Sequence, residues 1–265
     1  GSGLVGSEMC IRDRSIWSVR GEALLITTYQ LELSARLMPS DGYKLYAWLL
    51  TQIPSAAAEA LHSQQDHPIS QFVTFDKEKD TSIWNIHLLS TGASELFAPV
   101  IESIETISLH TGEISVVSKQ PKTEIQFEDI IRQARQTTSL CTEIQFLSAA
   151  SFKQNGRYVI FPQEKLILQS LVNRWNSFCE EYPLCDPDAL CMLESGIYIR
   201  DYTLKSVRYH LKNVYIPAFV GKVTLDSRLP VPLAELWRAI LLWADYSGIG
   251  IKTALGMGGA NVRFL

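Results

Sequence analysis

Apolar and polar positions alternate along A-L-L-I-T-T-Y-Q-L-E-L-S-A-R-L, Ala23 to Leu37. The two-residue period predicts a β-strand within Ile16 to Met38, with Leu25, Leu31, Leu33 and Leu37 turned inward. Pro39, Ser40, Asp41 and Gly42 punctuate it. Leu45, Trp48, Leu49 and Ile53 then recur at helical spacing, which predicts a helix over Tyr43 to Ile53 whose first amides Ser40 or Asp41 can cap. Pro54 starts a turn, and Ala56 to Leu61 continues helical into a polar loop from His62 to Pro68. Strands are expected about Phe72 to Phe75 and Thr81 to Leu89, a helix near Ser94 to Ile101, and strands at Thr106 to Leu109 and Glu113 to Lys119. Strand, helix, strand, strand, helix, strand is the order of the split βαβ, or ferredoxin-like, unit.

A polar helix after Pro121, Phe127 to Arg135, reads as a connector. The order then repeats: strand Thr142 to Leu147, helix Lys165 to Glu180, strands Gly196 to Tyr209 and Ala218 to Thr224, helix Leu233 to Ser247, and a closing strand-like run Asn261 to Leu265. The expected class is α+β: two tandem ferredoxin-like (RRM-like) domains with a βαββαβ order in each, 15–122 and 141–265, joined by 123–140. Residues 1–14 have no periodicity and read as a cloning or sequence-assembly scar, expected to be disordered and set aside.

Composition narrows the class of function. With 46% hydrophobic and 20% charged residues over 265 positions, the chain is ordinary globular material. Its net charge of −4 means that any nucleic-acid surface must be a local patch. Five cysteines without a C-x-x-C pair favour reduced thiols over a metal site, and no metal or cofactor is expected. No apolar run reaches the roughly 18 residues of a membrane span, so a cytoplasmic setting without a membrane partner is expected.

Three regions carry candidate chemistry. The tail G-I-G-I-K-T-A-L-G-M-G-G-A-N-V-R-F-L, Gly248 to Leu265, could bring backbone amides and Lys252 close to a phosphate. Its spacing matches neither common phosphate-binding glycine motif, and a plain turn between a helix and a last strand is the favoured reading of the segment alone. Among five histidines, His87 reads as a sheet-face residue and His110 as a turn residue. His62 opens a polar loop shortly after Tyr43 and Tyr46, and an imidazole with a phenol can move protons without a metal. A solvated loop histidine is the competing reading, and His67, between Asp66 and Pro68, is the nearest alternative. Basic residues with interleaved aromatics, as RNA recognition uses, occur at Lys153, Arg157, Lys165 and Arg174 with Tyr158 and Phe161. They recur at Arg200, Lys205, Arg208, His210 and Lys212 with Tyr202 and Tyr209. An ordinary solvated face is the alternative for both clusters.

Five ordered segments together resemble the CRISPR repeat-processing endoribonucleases of the repeat-associated mysterious protein (RAMP) superfamily. They are A-L-H-S (Ala60 to Ser63), E-I-Q-F-L-S-A-A-S-F-K (Glu143 to Lys153), G-R-Y-V-I-F-P-Q-E-K-L-I-L-Q-S-L-V-N-R-W-N-S-F (Gly156 to Phe178), F-V-G-K-V-T-L (Phe219 to Leu225) and Y-S-G-I-G-I-K-T-A-L-G-M-G-G (Tyr246 to Gly259). The resemblance implies metal-independent cleavage of CRISPR precursor RNA, in which a 2′-hydroxyl attacks the adjacent phosphodiester to leave a 2′,3′-cyclic phosphate and a 5′-hydroxyl. It implies His62 as general base or acid, Tyr46 or else Tyr43 as its partner, and Lys44 or Lys252 as the stabiliser of charge on the phosphorane. Some relatives carry a lysine shortly after the histidine; Ser63 to Pro68 has none. Ala149 and Ala150 stand where the family commonly shows proline and threonine. RNA contacts are expected from Gly248, Gly250, Lys252, Thr253, Gly256, Gly258, Lys153, Arg157, Arg174, Lys205 and Arg208. The implied partners are CRISPR repeat RNA, other CRISPR effector or adaptation subunits, and a second copy in a homodimer. A catalytically silent RNA-binding RAMP subunit, and a domain of a fusion with reverse transcriptase and integrase modules, are the alternative readings.

Overall fold

The computed structural model describes residues 25–64, 66–179 and 181–265. The expected scar and the Ile16 to Leu24 part of the first predicted strand lie outside the described residues. In the first half, β1 (Leu25–Leu33) leads through α1 (Gly42–Thr51) and α2 (Ser55–Ser63) to β2 (Ile69–Asp76) and β3 (Thr81–Leu88). Next come α3 (Thr91–Ser103), β4 (Thr106–Leu109), β5 (Gly112–Lys119) and β6 (Thr123–Gln126). The sheet runs β2-β3-β1-β5-β4, with β1 antiparallel to β3 and to β5.

Alternation sets the face of β1: Tyr29, Leu31 and Leu33 enter the first core with Leu45, Leu49, Trp84 and Phe97. Leu25 is only half-buried, against expectation, because its neighbour Ile26 is fully buried in the core of the second half. Asp41 does not cap α1 as expected. It lies in a 3₁₀ turn, accepts the Met38 amide at 2.8 Å and pairs with Lys44.

The second half contains α4 (Phe127–Gln136), β7 (Cys141–Ala150), β8 (Phe152–Gln154), β9 (Arg157–Val159), α5 (Glu164–Phe178) and α6 (Pro187–Gly196). It ends with β10 (Ile197–Leu211), β11 (Val214–Ser227), α7 (Val231–Ser247) and β12 (Ala260–Phe264), in a sheet ordered β10-β11-β7-β12. In both sheets the first strand lies centrally between the third strand and the last, so both halves have the ferredoxin-like arrangement.

Residues 123–140 do more than connect. β6 pairs with β1 in the first sheet, while α4 buries Phe127, Ile130 and Ala134 in the second core. Pro121 separates β5 from β6 because it has no amide hydrogen for the ladder.

The β8–β9 hairpin and α6 were also outside the hydrophobic pattern, and each has a local signal. Asn155 (φ 49°) and Gly156 (φ 77°) make the left-handed pair that joins β8 to β9, and Asn-Gly is a strong hairpin signal. Asp186 caps α6, accepting the amides of Asp188 and Ala189 at 2.9 and 3.2 Å, with Pro187 in its first turn.

The halves are locked together by Gln71, which is 0% exposed. Its Nε2 donates to the carbonyls of Gly42 and Ala254, each at 2.9 Å, and its Oε1 accepts from Trp84 Nε1 at 2.9 Å. Removing it would break three buried hydrogen bonds, at about 0.5–1.5 kcal/mol each. Gln71 therefore pins the loop after α7 against the start of α1.

Candidate active site

Between the halves lies a groove of about 440 Å³. The first half lines it with Asp66 and His67, just past α2; the second half lines it with one side of α5, with Phe152 and Lys153, and with Gly250 to Leu255. Asp66 ties the two walls together by accepting the Ser177 hydroxyl at 2.8 Å.

His67 is the best-defined titratable group in the groove. Its Nδ1 lies 3.1 Å from the Tyr46 hydroxyl, and the rings meet edge to face at 85°. The Tyr46 hydroxyl is buried on α1, and burial raises its pKa, so the phenol keeps its proton. Burial also holds His67 below the usual histidine value, with smaller contributions from the Arg174 guanidinium, His62 and Lys252. A neutral imidazole can accept a proton. If Nδ1–H donates to the tyrosine oxygen, Nε2 is left as the free base.

His62 is exposed in the last turn of α2, so it closes a helix rather than opening a loop. Its influence on His67 places two imidazoles in one electrostatic neighbourhood. The pairing of His67 with Tyr46 spans 21 residues and no spacing rule reveals it; the histidine in the loop was the only signal.

The glycine-rich loop takes a different part from the one expected. Gly248, Gly250, Gly256 and Gly258 all have positive φ, between 71° and 97°. A Cβ on Gly250 would sit 2.4 Å from the Ser151 carbonyl oxygen, and one on Gly258 would sit 2.3 Å from that of Ile249. Most loop amides are already used: Gly248 donates to Ala244, Ile249 to Gly258, Ile251 to Ser151 and Gly258 to Ala149, while Gly250 donates to the Ser170 hydroxyl. Gly248, Gly256 and Gly258 are buried, and their positive-φ conformations shape the loop. What the loop presents is Lys252, exposed and itself left-handed at φ 59°. Thr253 is buried in the wall beside it.

The other expected residues separate into two groups. Lys153 and Arg174 line the groove, whereas Arg157, Lys205 and Arg208 are exposed outside its lining. Lys44 is held by Asp41 at 2.7 Å, and Tyr43 packs against the small cluster around Tyr209 and Met257. Neither Lys44 nor Tyr43 lines the groove. Tyr209 is 2% exposed and its hydroxyl donates to the Leu255 carbonyl, so it is no stacking platform for bases. Among the described residues, no three His, Cys, Asp or Glu side chains converge as a metal-ion site, and no helix is long and apolar enough to cross a membrane.

The structure thus defines a protein of two ferredoxin-like bodies around a groove that holds an imidazole backed by a phenol and several cationic side chains. Residues 144–260 match the family model for the CRISPR-associated endoribonuclease Cas6. A Cas6 endoribonuclease of Streptococcus thermophilus is 30% identical over 221 residues, covering 83% of this chain and 90% of the relative. One from Mycobacterium tuberculosis is 26% identical over 255 residues, covering 91% and 79%. A solved Cas6 product complex superposes with a TM-score of 0.75 at 22% identity, over 90% of this chain and 99% of that one. The chain belongs to the Cas6 family of CRISPR-associated endoribonucleases, and it is an endoribonuclease of CRISPR precursor RNA processing.

Proposed function

We propose that this protein cuts CRISPR repeat RNA in the groove between its halves, without a metal ion, by attack of a ribose 2′-hydroxyl. The observation that carries the reading is the Tyr46–His67 hydrogen bond beside His62 and Lys252. Two histidines in unlike surroundings suit the two proton transfers of the reaction. His67, held neutral and oriented by Tyr46, takes the 2′-hydroxyl proton as the 2′-oxygen bonds to phosphorus. His62, exposed at the end of α2, gives a proton to the departing 5′-oxygen as the phosphorus–oxygen bond breaks. The products are a 2′,3′-cyclic phosphate and a 5′-hydroxyl. Lys252 lies opposite and offsets charge on the phosphorane. Lys153 at the groove, and Arg157, Lys205 and Arg208 outside it, guide the flanking RNA backbone.

Incubation with its own repeat RNA in EDTA is expected to give a single cut with a cyclic phosphate end. A 2′-deoxy sugar immediately 5′ of the cut is expected to abolish it. A requirement for divalent metal, or a 3′-hydroxyl product, would overturn the mechanism.

A further inference from the structure

The loop after His62 lacks a lysine, and Lys252 is a mobile type of side chain on the opposite wall. A second, largely buried cation is built into α5. Arg174 is 8% exposed, lines the groove, and forms no ion pair among the described residues. Its Nε and Nη2 are sealed from water without a hydrogen-bond partner among those residues. Asp66, close enough to favour the charged guanidinium, accepts the Ser177 hydroxyl. The guanidinium carbon otherwise sits 5.4 Å from the centre of the Phe178 ring.

A buried cation with unsatisfied donors weakens a fold unless something else uses it. The particular donors matter, because Nε–H and Nη2–H point the same way from one edge of the guanidinium plane. That edge is the fork that matches two oxygens of a phosphate, a geometry a lysine does not supply.

We propose that Arg174 is a catalytic residue whose Nε–Nη2 edge grips the non-bridging oxygens of the phosphate being cut. The inference rests on the nuclease reading above. The edge is shielded from water while the side chain lines the groove, so binding includes a side-chain movement that turns the edge outward when RNA arrives. The grip places the phosphate beside His67, which lines the same groove. The first half then supplies proton transfer, and α5 supplies charge stabilisation.

The test uses the full chain and repeat RNA with a single phosphorothioate, Rp or Sp, at the cut. In the parent protein, each diastereomer is expected to slow cleavage about tenfold, because each replaces one gripped oxygen. Arg174→Met, which keeps the apolar stem, is expected to slow cleavage of unmodified RNA about 100-fold and to remove the further slowing by either sulfur. Arg174→Lys should recover part of the binding but not the sensitivity to both diastereomers. A parent protein indifferent to sulfur at the cut, or a sulfur effect that persists undiminished in Arg174→Met, would overturn the proposal.

Binding of uncleavable 2′-deoxy repeat RNA is measured alongside. Arg174→Met is expected to weaken it and to flatten the dependence of log K on log salt by about 0.7. A higher melting temperature for Arg174→Met would mark a cation kept at a cost to the fold, and a lower one together with unchanged binding would make it structural. If the parent binds but never cuts, the nuclease reading fails, and Arg174 is then judged by the binding measurement alone, where unchanged affinity refutes it.

Discussion

The two halves share a strand order but bring unlike chemistry to the groove. The first contributes His67, hydrogen-bonded to Tyr46, an imidazole and a phenol that can exchange protons. The second contributes fixed positive charge: Lys153, Arg174 and Lys252. Both elaborate the same place in the βαββαβ plan, the crossover between first and second strands. There the first half inserts α2 and the histidine loop, and the second inserts the β8–β9 hairpin ahead of α5. The groove opens between these two elaborations. A duplicated scaffold can thus build an asymmetric site, because the shared sheets fix where the crossovers meet and leave each crossover free to carry its own chemistry.

The sharpest way to break this division is to remove its proton-handling side. His62→Ala and His67→Ala are each expected to slow cleavage by about 10²–10⁴ in single-turnover assays while RNA binding persists. If His67→Ala cuts at the parent rate, the buried pair is structural and His62 acts without it.

Removing Lys252 tests the coupling between the halves. Lys252→Ala is expected to slow cleavage about tenfold, within the range for loss of one electrostatic contact. Because Lys252 helps to hold His67 below its usual value, the variant should also move the acidic limb of the rate profile upward. In the parent, that limb should lie below about pH 6.5, the unperturbed histidine value. A limb unmoved by Lys252→Ala would separate the two halves electrostatically.

Gly250→Ala examines the loop that carries Lys252. With φ 94° and a carbonyl oxygen 2.4 Å from the new Cβ, the variant is expected to lose about 1–3 kcal/mol in urea unfolding, through strain and crowding. It should reduce activity by displacing Lys252.

The seam between the halves gives the smallest effect, one that opposing groups nearly hide. His87 packs between Phe72 and Tyr246, its ring nitrogens unpartnered among the described residues, and burial pulls its pKa down to about 4. From about pH 6.5 down to 4 the unfolded chain takes up this proton more readily, so His87 costs stability as pH falls. Asp245, buried and accepting the Val262 amide at 2.6 Å, is pushed up to about 7. Here the folded state holds the extra proton, so stability is lost as pH rises from about 4 to 7. The two slopes oppose. His87→Phe should leave stability falling with rising pH across this window, and Asp245→Asn should leave it rising, as read by urea midpoints at pH 5 and 7.

Local pattern made much of the architecture legible. Tyr29, Leu31 and Leu33 could be assigned to one face of β1 because strand periodicity is a property of neighbouring residues. The same local rules contained the Asn155-Gly156 turn and the Asp186 cap, although apolar periodicity alone passed over both. The ordered motifs from Ala60 to Gly259 carry the resemblance to the family in sequence alone, and His62 and Lys252 lie within them.

What only the tertiary structure decided was the company each group keeps. His67 gains its importance from a tyrosine 21 residues away, and Arg174 from the missing partners around its guanidinium. The amides of Gly248, Gly250 and Gly258 are bonded to Ala244, Ser170 and Ala149, partners that no spacing in the loop reveals. Sequence determines which groups are present and which face of an element they occupy, since both follow from short-range stereochemistry. Burial, desolvation and unmet hydrogen bonds depend on elements far apart in the chain, and these set which imidazole is held below its usual pKa and which guanidinium edge has no partner among the described residues.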